Sequence, residues 1–218
     1  MHLYLPDTPT FVLTVKTNSA RKARLQAMLL HYGFSDIRWI DGPITRNHNV
    51  GARVSAIRTL ASLRVPALWL EDDAAILPAY RPSIYVPDDA QVAYLGGSPC
   101  GSPVAARRGM GARNANRPDG IVRMCRVRDG IPNARQLNRS ALYMDTEHDE
   151  WVRILSMFSG HAILWIDDAA RVAMFRALRA SKGSYDRTFS AIQWRYKVYG
   201  LRHPWFCQLG KRYTVDYL

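Results

Sequence analysis

What is scarce in this chain narrows it first. Three cysteines, Cys100, Cys125 and Cys207, stand far apart and odd in number among 218 residues, which argues against a disulfide framework and offers no zinc-binding pair. A reducing cytoplasm is the expected compartment, the host cytoplasm if the chain is viral. No apolar run approaches the roughly 20 residues a membrane span needs, and Met1 to Asp7 has neither the basic nor the apolar region of a secretory signal. The expectation is a protein without a membrane span. Acids are scarce too, 18 Asp and Glu against 30 Lys and Arg, for a net charge of +12. The deficit is uneven: residues 1–100 hold 10 bases and 8 acids, residues 101–218 hold 20 and 10. Such a field draws a polyanion, an anionic membrane surface or a phosphorylated ligand. Twenty-five of the thirty cations are Arg, the side chain suited to forked phosphate contacts, although a GC-rich coding bias gives the same ratio.

Residues 98–140 lack Phe, Trp and Tyr altogether, are rich in Gly and Pro, and carry nine arginines against Asp119 and Asp129. That composition predicts a loop or small ribbon rather than core, ordering on an anionic partner. Elsewhere the pattern is regular, and 48% hydrophobic content in 218 residues supports one full core. Residues 11–15, 37–40, 67–70 and 92–95 read as strands, and residues 20–32 and 50–63 as helices between them. Residues 141–144, 151–158 and 162–165 resume regular structure, and residues 167–181 form a helix with Asp167 and Asp168 at its amino end. The βα alternation predicts an α/β domain with a parallel sheet and ligands at the carboxyl ends of its strands.

One cluster breaks the rule that carboxylates avoid one another. Glu71, Asp72 and Asp73 directly follow the apolar strand Ala67 to Leu70. Three adjacent carboxylates there are costly unless a cation joins them, and carboxylate oxygens suit Mg2+ or Mn2+, which keep positions open for phosphate oxygens. A solvated acidic turn is the plainer alternative.

The run Ala67-Leu68-Trp69-Leu70-Glu71-Asp72-Asp73, with Trp39-Ile40-Asp41-Gly42 upstream and Tyr94-Leu95-Gly96-Gly97 downstream, resembles the glycosyltransferase family of bacterial lipopolysaccharide galactosyltransferases and collagen galactosyltransferases. The resemblance covers most of residues 11–97. It continues more weakly through Gly160-His161-Ala162-Ile163-Leu164 and Tyr185-Asp186. It departs at Ala56, where the family usually has His after the serine. The resemblance implies a GT-A fold, a Rossmann-like mixed sheet between helices, as one domain over residues 1–218. Residues 11–97 would be the nucleotide-sugar half, 98–140 a basic insertion and 141–218 the acceptor half. The implied activity is metal-dependent transfer of a sugar from a nucleotide-sugar, a UDP-sugar first, with Mn2+ or Mg2+ as cofactor.

On that reading Glu71 and Asp73 bind the metal, with His203 a candidate third ligand. Asp72 is assigned to catalysis and to the donor. Thr14, Lys16, Arg21, Asp41 and Gly42 line the nucleotide cleft, where Arg21 and its neighbours Lys22 and Arg24 meet the diphosphate or simply form a solvated helix face. Asp186 is the sole acid between Arg171 and Arg212, and serves as the base on the acceptor hydroxyl or as a structural ion pair. His161 is a weaker candidate, equally readable as a hydrogen-bonded core residue. For the acceptor, Arg107, Arg108, Arg113, Arg117, Arg123 and Arg126 would contact phosphates, and Trp194, Arg195 and Lys197 would stack on or clamp a displaced base. The favoured acceptor is a 5-hydroxymethylpyrimidine in DNA, as in phage genome modification. Lipopolysaccharide or another surface glycan is the alternative, and a non-catalytic nucleic-acid-binding module is the reading from a different class.

Overall fold

The computed structural model describes residues 1–14, 19–46, 48–97, 124–128 and 141–208. The first half builds a βαβαβ unit. Strand β2 (Thr10–Thr14) leads through α1 (Ser19–His31) to β3 (Ile37–Asp41), and α2 (His48–Ser62) returns the chain to β4 (Ala67–Glu71). Strand β2 pairs in parallel with both β3 and β4. Side chains alternate along these strands as the pleat requires. Phe11, Leu13 and Trp69 enter one core with Ala56, Leu60 and Leu63 of the α2 side, while Val12, Leu68 and Leu70 enter a second with Leu25 and Leu29 of α1. The two helices therefore cover opposite faces. The chain reverses direction across the sheet between β2 and β4, and such a switch point opens a crevice outside the carboxyl ends of the strands.

The second half is woven into the same sheet. Strands β7 (Val92–Gly96), β8 (Cys125–Arg126), β9 (Leu142–Asp145), β10 (Trp151–Ser156), β11 (Ala162–Trp165) and β12 (Val198–Leu201) complete nine strands in the order β3-β2-β4-β11-β7-β12-β10-β9-β8. Strand β11 lies antiparallel between β4 and β7, so residues 11–97 and 141–208 share one sheet. The parallel sheet read from the βα alternation is corrected to a mixed one, the kind of sheet that the resemblance implied: β2–β3, β2–β4, β7–β12 and β8–β9 are parallel, and the other pairs are antiparallel. Helix α3 (Asp168–Ala180) carries Ala170, Met174 and Leu178 into the same core as α2, and the short α4 (Tyr185–Ser190) adds Tyr185 and Phe189. Asp167 caps α3 by accepting from the Ala170 N–H at 3.1 Å.

Two small ribbons complete the described residues, β1 (His2–Tyr4) with β6 (Ser83–Tyr85) and β5 (Ala74–Ile76) with β13 (Phe206–Gln208). Of the basic stretch 98–140, residues 124–128 are described and the rest lie outside the described residues. Of the loop or small ribbon expected there, the described piece agrees with a ribbon, since β8 pairs with β9, but Met124 departs from the expectation of a segment outside the core by being buried in it.

Candidate functional site

Thr14, Asp41 and Glu71 are the last residues of three parallel neighbours, with Thr14 level with Asp41 and Leu13 level with Glu71. The chain turns sharply after Glu71, and the Asp72 N–H donates to the Leu13 carbonyl at 2.9 Å, which fixes the carboxylates over the crevice. Asp72 looks back across the switch point, accepting from Thr14 Oγ1 at 2.8 Å and from Arg21 Nη1 at 3.4 Å. Arg21 also lies 3.7 Å from Asp73 Oδ2. Glu71 and Asp73 also meet the β5–β13 ribbon. One nitrogen, Gln208 Nε2, donates to Glu71 Oε2 at 3.3 Å and to Asp73 Oδ2 at 3.2 Å. The second Asp73 oxygen, Oδ1, is buried with no hydrogen-bond partner among the described residues.

The cluster is short of positive charge. Burial, then the charges of Asp73, Asp186 and Asp72, raise the Glu71 pKa well above the ordinary carboxylate range, with Arg21 opposing. Asp73 is also raised, chiefly by burial, against the lowering effect of the Gln208 hydrogen bond. Arg24, one turn beyond Arg21 on α1, faces the same carboxylates. Its Nη2 is buried without a partner among the described residues, and burial together with Arg21 depresses its pKa while Asp73 and Asp72 raise it. An under-neutralised pair of carboxylates beside a desolvated guanidinium is suited to a ligand carrying both signs, such as a metal-complexed diphosphate. Among the described residues no group of three His, Cys, Asp or Glu stands close enough to hold a metal ion unaided. Glu71 and Asp73 fit a cation that takes its remaining ligands from phosphate and water.

Asp186 comes to this site from far along the chain. It sits half-buried in the first turn of α4, and its charge is felt at Glu71 and at the buried Tyr94. Aromatic packing places it there. The Tyr185 ring lies 5.7 Å from that of Trp69, and the Trp69 indole donates to the Gly160 carbonyl at 2.9 Å. A Cβ at Gly160 would fall 2.4 Å from the Tyr185 ring, so the close fit of α4 against the end of β4 depends on that glycine. Gly42 plays a similar part beside Thr14, since a Cβ there would meet the Gly51 carbonyl at 2.6 Å. Asp41 keeps an exposed side chain at the crevice edge, and its carbonyl accepts from Arg58 at 2.7 Å.

Other expected residues are placed elsewhere. His203 is exposed in the turn before β13. The register sets Phe206 opposite Ile76 and Gln208 opposite Ala74, so His203 falls beyond the end of the ribbon remote from Asp73. His161 is a core residue, 1% exposed. Its Nδ1 shares a hydrogen bond with Ser159 Oγ at 2.8 Å, and its Nε2 faces the Phe206 carbonyl without closing a hydrogen bond of good geometry. Burial pushes its pKa down to about 4. Its contribution to the site is its backbone carbonyl, which accepts from the Glu71 N–H at 3.2 Å.

The acceptor candidates are similarly divided. Lys16, Arg107, Arg108, Arg113, Arg117 and Arg123 lie outside the described residues. Arg126 forms an ion pair with Asp145, and Lys197 lies 3.3 Å from Asp89. Trp194 packs against the small cluster of Leu142 and Leu155, donates its indole N–H to Ala191 and carries Arg195 over its ring at 5.1 Å. Arg126 and Trp194 are thus engaged with β9 and β10, Arg195 with Trp194, and Lys197 with the residues before β7. Gln208 is the addition that the structure makes to the site, whereas Arg24 was expected either at the diphosphate or on a solvated face, and its Nη2 is buried beside the carboxylates. No protein-family model matches the chain, and no curated protein matches it.

Proposed function

We propose that this chain is a metal-dependent glycosyltransferase of GT-A type, moving a sugar from a nucleotide-sugar to a hydroxyl on a 5-hydroxymethylpyrimidine in DNA. The observation that carries the donor half is the under-neutralised pair Glu71 and Asp73 at a switch-point crevice, with Arg21 and Arg24 on the facing helix. Glu71 and Asp73 would hold Mn2+ or Mg2+, which when bound supplies Lewis-acid neutralisation of the departing diphosphate. Arg21 and Arg24 meet the phosphates, Arg21 exchanging its contacts with Asp72 and Asp73 for phosphate oxygens and Arg24 supplying its unpartnered Nη2. Asp41, at the exposed end of β3, accepts hydrogen bonds from the nucleoside. Asp186, half-buried in the first turn of α4, takes the acceptor proton. The acceptor half rests on the charge of +12 and its concentration in the second half of the chain.

The test is release of nucleoside diphosphate from a panel of UDP-sugars with and without Mn2+, followed by nucleoside mass spectrometry on hydroxymethylated and unmodified DNA. Asp73→Ala is expected to abolish Mn2+-dependent release. Equal release by the variant would overturn the donor assignment. Turnover on a lipid-linked or polymeric glycan with no new nucleoside would replace DNA by a surface glycan as the acceptor.

A further inference from the structure

Helices α2 and α3 lie side by side on one face of the sheet and run in opposite directions. Arg171, near the start of α3, donates to the Leu60 carbonyl near the end of α2, while Arg53, in the first half of α2, donates to the Ser181 carbonyl just past α3. An open groove of about 710 Å3 runs along α3, lined by Arg171, Phe175, Arg176 and Arg179 and met from α2 by Ala61. Arg171 is engaged there by Asp168 and Leu60. Arg179 lies over the Phe175 ring at 5.8 Å, and neither Arg176 nor Arg179 forms an ion pair with a described residue. Arg64 and Lys182, exposed just beyond opposite ends of the pair, extend the same sign. The acids of α2 and α3 reduce to Asp168 in the first turn of α3, which is taken up by Arg171, and the cap Asp167 is bonded to Ala170 and Gln91.

The groove has a direction. Helix α2 starts beyond the carboxyl end of β3 and finishes before the amino end of β4, and Arg53 against Ser181 puts the finish of α3 beside the start of α2. Lys182 is followed within four residues by Asp186, whose charge reaches Glu71. Thirteen helical residues span about 20 Å at 1.5 Å each, against one phosphate per roughly 3.4 Å of a B-form strand. The track is long enough for several consecutive phosphates.

We propose that the α2–α3 groove is a binding track for a nucleic-acid backbone, with Arg176 and Arg179 as its central phosphate contacts, leading the strand toward the carboxylate site. The inference rests on the DNA half of the function proposed above and not on its donor chemistry. Charge complementarity selects a polyanion, and the surface distinguishes a nucleic acid from a membrane. Basic membrane-binding faces pair cations with inserted apolar side chains. The exposed large hydrophobics of the described residues, Tyr4, Leu30, Tyr32, Ile44, Val50 and Tyr85, belong to the β1–β6 ribbon, to α1 and its end, and to the approach and start of α2. None lies on α3.

The test is fluorescence anisotropy of the full chain with a labelled 20-mer oligonucleotide, single- and double-stranded, over a salt titration. Arg176→Glu with Arg179→Glu is compared with Arg38→Glu with Arg81→Glu, which changes the net charge equally at positions outside α2 and α3. The groove pair is expected to weaken binding more than tenfold and to flatten the salt dependence by the loss of about two phosphate contacts. The control pair is expected to change affinity less than threefold. Equal losses in both pairs, or none in the groove pair, would overturn the groove while leaving DNA as acceptor. No oligonucleotide binding by the parent chain would sink both readings, and groove-dependent binding to phosphatidylglycerol vesicles without oligonucleotide binding would assign the surface to a membrane. Mn2+-dependent donor turnover, measured in parallel, is expected to survive in the groove pair and separates this inference from the donor assignment.

Discussion

Gln208 Nε2 donates to Asp73 Oδ2 at 3.2 Å, from a strand 135 residues downstream, and the same nitrogen reaches Glu71 at 3.3 Å. An amide nitrogen thus occupies the space between two carboxylates, supplying partial positive charge where a full charge would bind better. Replacing Gln208 by Leu removes the donor and keeps the bulk. A hydrogen bond to a charged group contributes about 1.5–3 kcal/mol, so the variant is expected to lose about 2 kcal/mol at pH 7 by urea unfolding without metal. Its Tm is expected to rise more than that of the parent on adding Mn2+, because the cation no longer displaces a hydrogen-bond donor. Equal Mn2+ shifts would argue that Gln208 and the cation do not share a site.

The pH dependence follows from the raised pKa values of Glu71 and Asp73. A carboxyl whose pKa is higher folded than unfolded binds more protons in the folded state, so the slope of unfolding free energy against pH is negative between the two values. The stabilisation is full below the unfolded range, near 4, and is lost as pH rises through the folded pKa. Glu71→Gln cannot titrate there. It is expected to flatten the fall in Tm above pH 4 and to raise Tm at pH 7, while reducing the response to Mn2+. A variant less stable than the parent at pH 7 would show that Glu71 is already neutralised in the folded chain.

Much of this architecture was legible because hydrophobic periodicity reports burial directly. The strands read at 37–40, 67–70 and 92–95 are observed as Ile37–Asp41, Ala67–Glu71 and Val92–Gly96, and the helix read at 167–181 as Asp168–Ala180 with Asp167 as its cap. Strand direction was not legible. The apolar run Ala162 to Trp165 reads the same whether β11 is parallel or antiparallel, and its placement between β4 and β7 is a tertiary fact. Glu71, Asp72 and Asp73 announced themselves by the cost of adjacent like charges. Gln208 carried no such signal, since a glutamine in an aromatic and basic stretch has no local reason to be singled out. It becomes a site residue because β13 pairs with β5, immediately after Asp73.

Gly160 links packing to the proposed base. A methyl group there would sit 2.4 Å from the Tyr185 ring, which is confined by Trp69. Overpacking of this kind costs about 1–3 kcal/mol. Relief requires Tyr185, and with it the first turn of α4, to move. Gly160→Ala is therefore expected to lower kcat for acceptor transfer at least tenfold while changing donor affinity less than threefold. Gly183→Ala is the control, because its nearest contact is the Ser181 hydroxyl at 3.4 Å, and it is expected to change stability by no more than about 0.5 kcal/mol.

Gln193 tests the interior of the second half without touching the carboxylates. It is fully buried, its Nε2 donates to the Tyr94 hydroxyl at 2.6 Å and to the Met157 carbonyl at 3.3 Å, and its Oε1 accepts from the Met157 N–H at 2.6 Å. Three polar groups, the Tyr94 hydroxyl of β7 and the Met157 N–H and carbonyl just past β10, are thereby satisfied by one side chain from the turn after α4. Gln193→Leu strands the Met157 N–H and the Tyr94 hydroxyl in a region where water cannot replace the lost partner, at about 1–3 kcal/mol for each group left unsatisfied. Tyr94→Phe alone removes one partner and leaves the Met157 contacts intact, so its cost is expected to be smaller. In the double variant the Tyr94 hydroxyl is absent and is not left stranded. The two losses should then sum to less than their separate values, with a coupling of about 1 kcal/mol in chemical denaturation. Strict additivity would show that the Tyr94 hydroxyl finds another partner when Gln193 is removed.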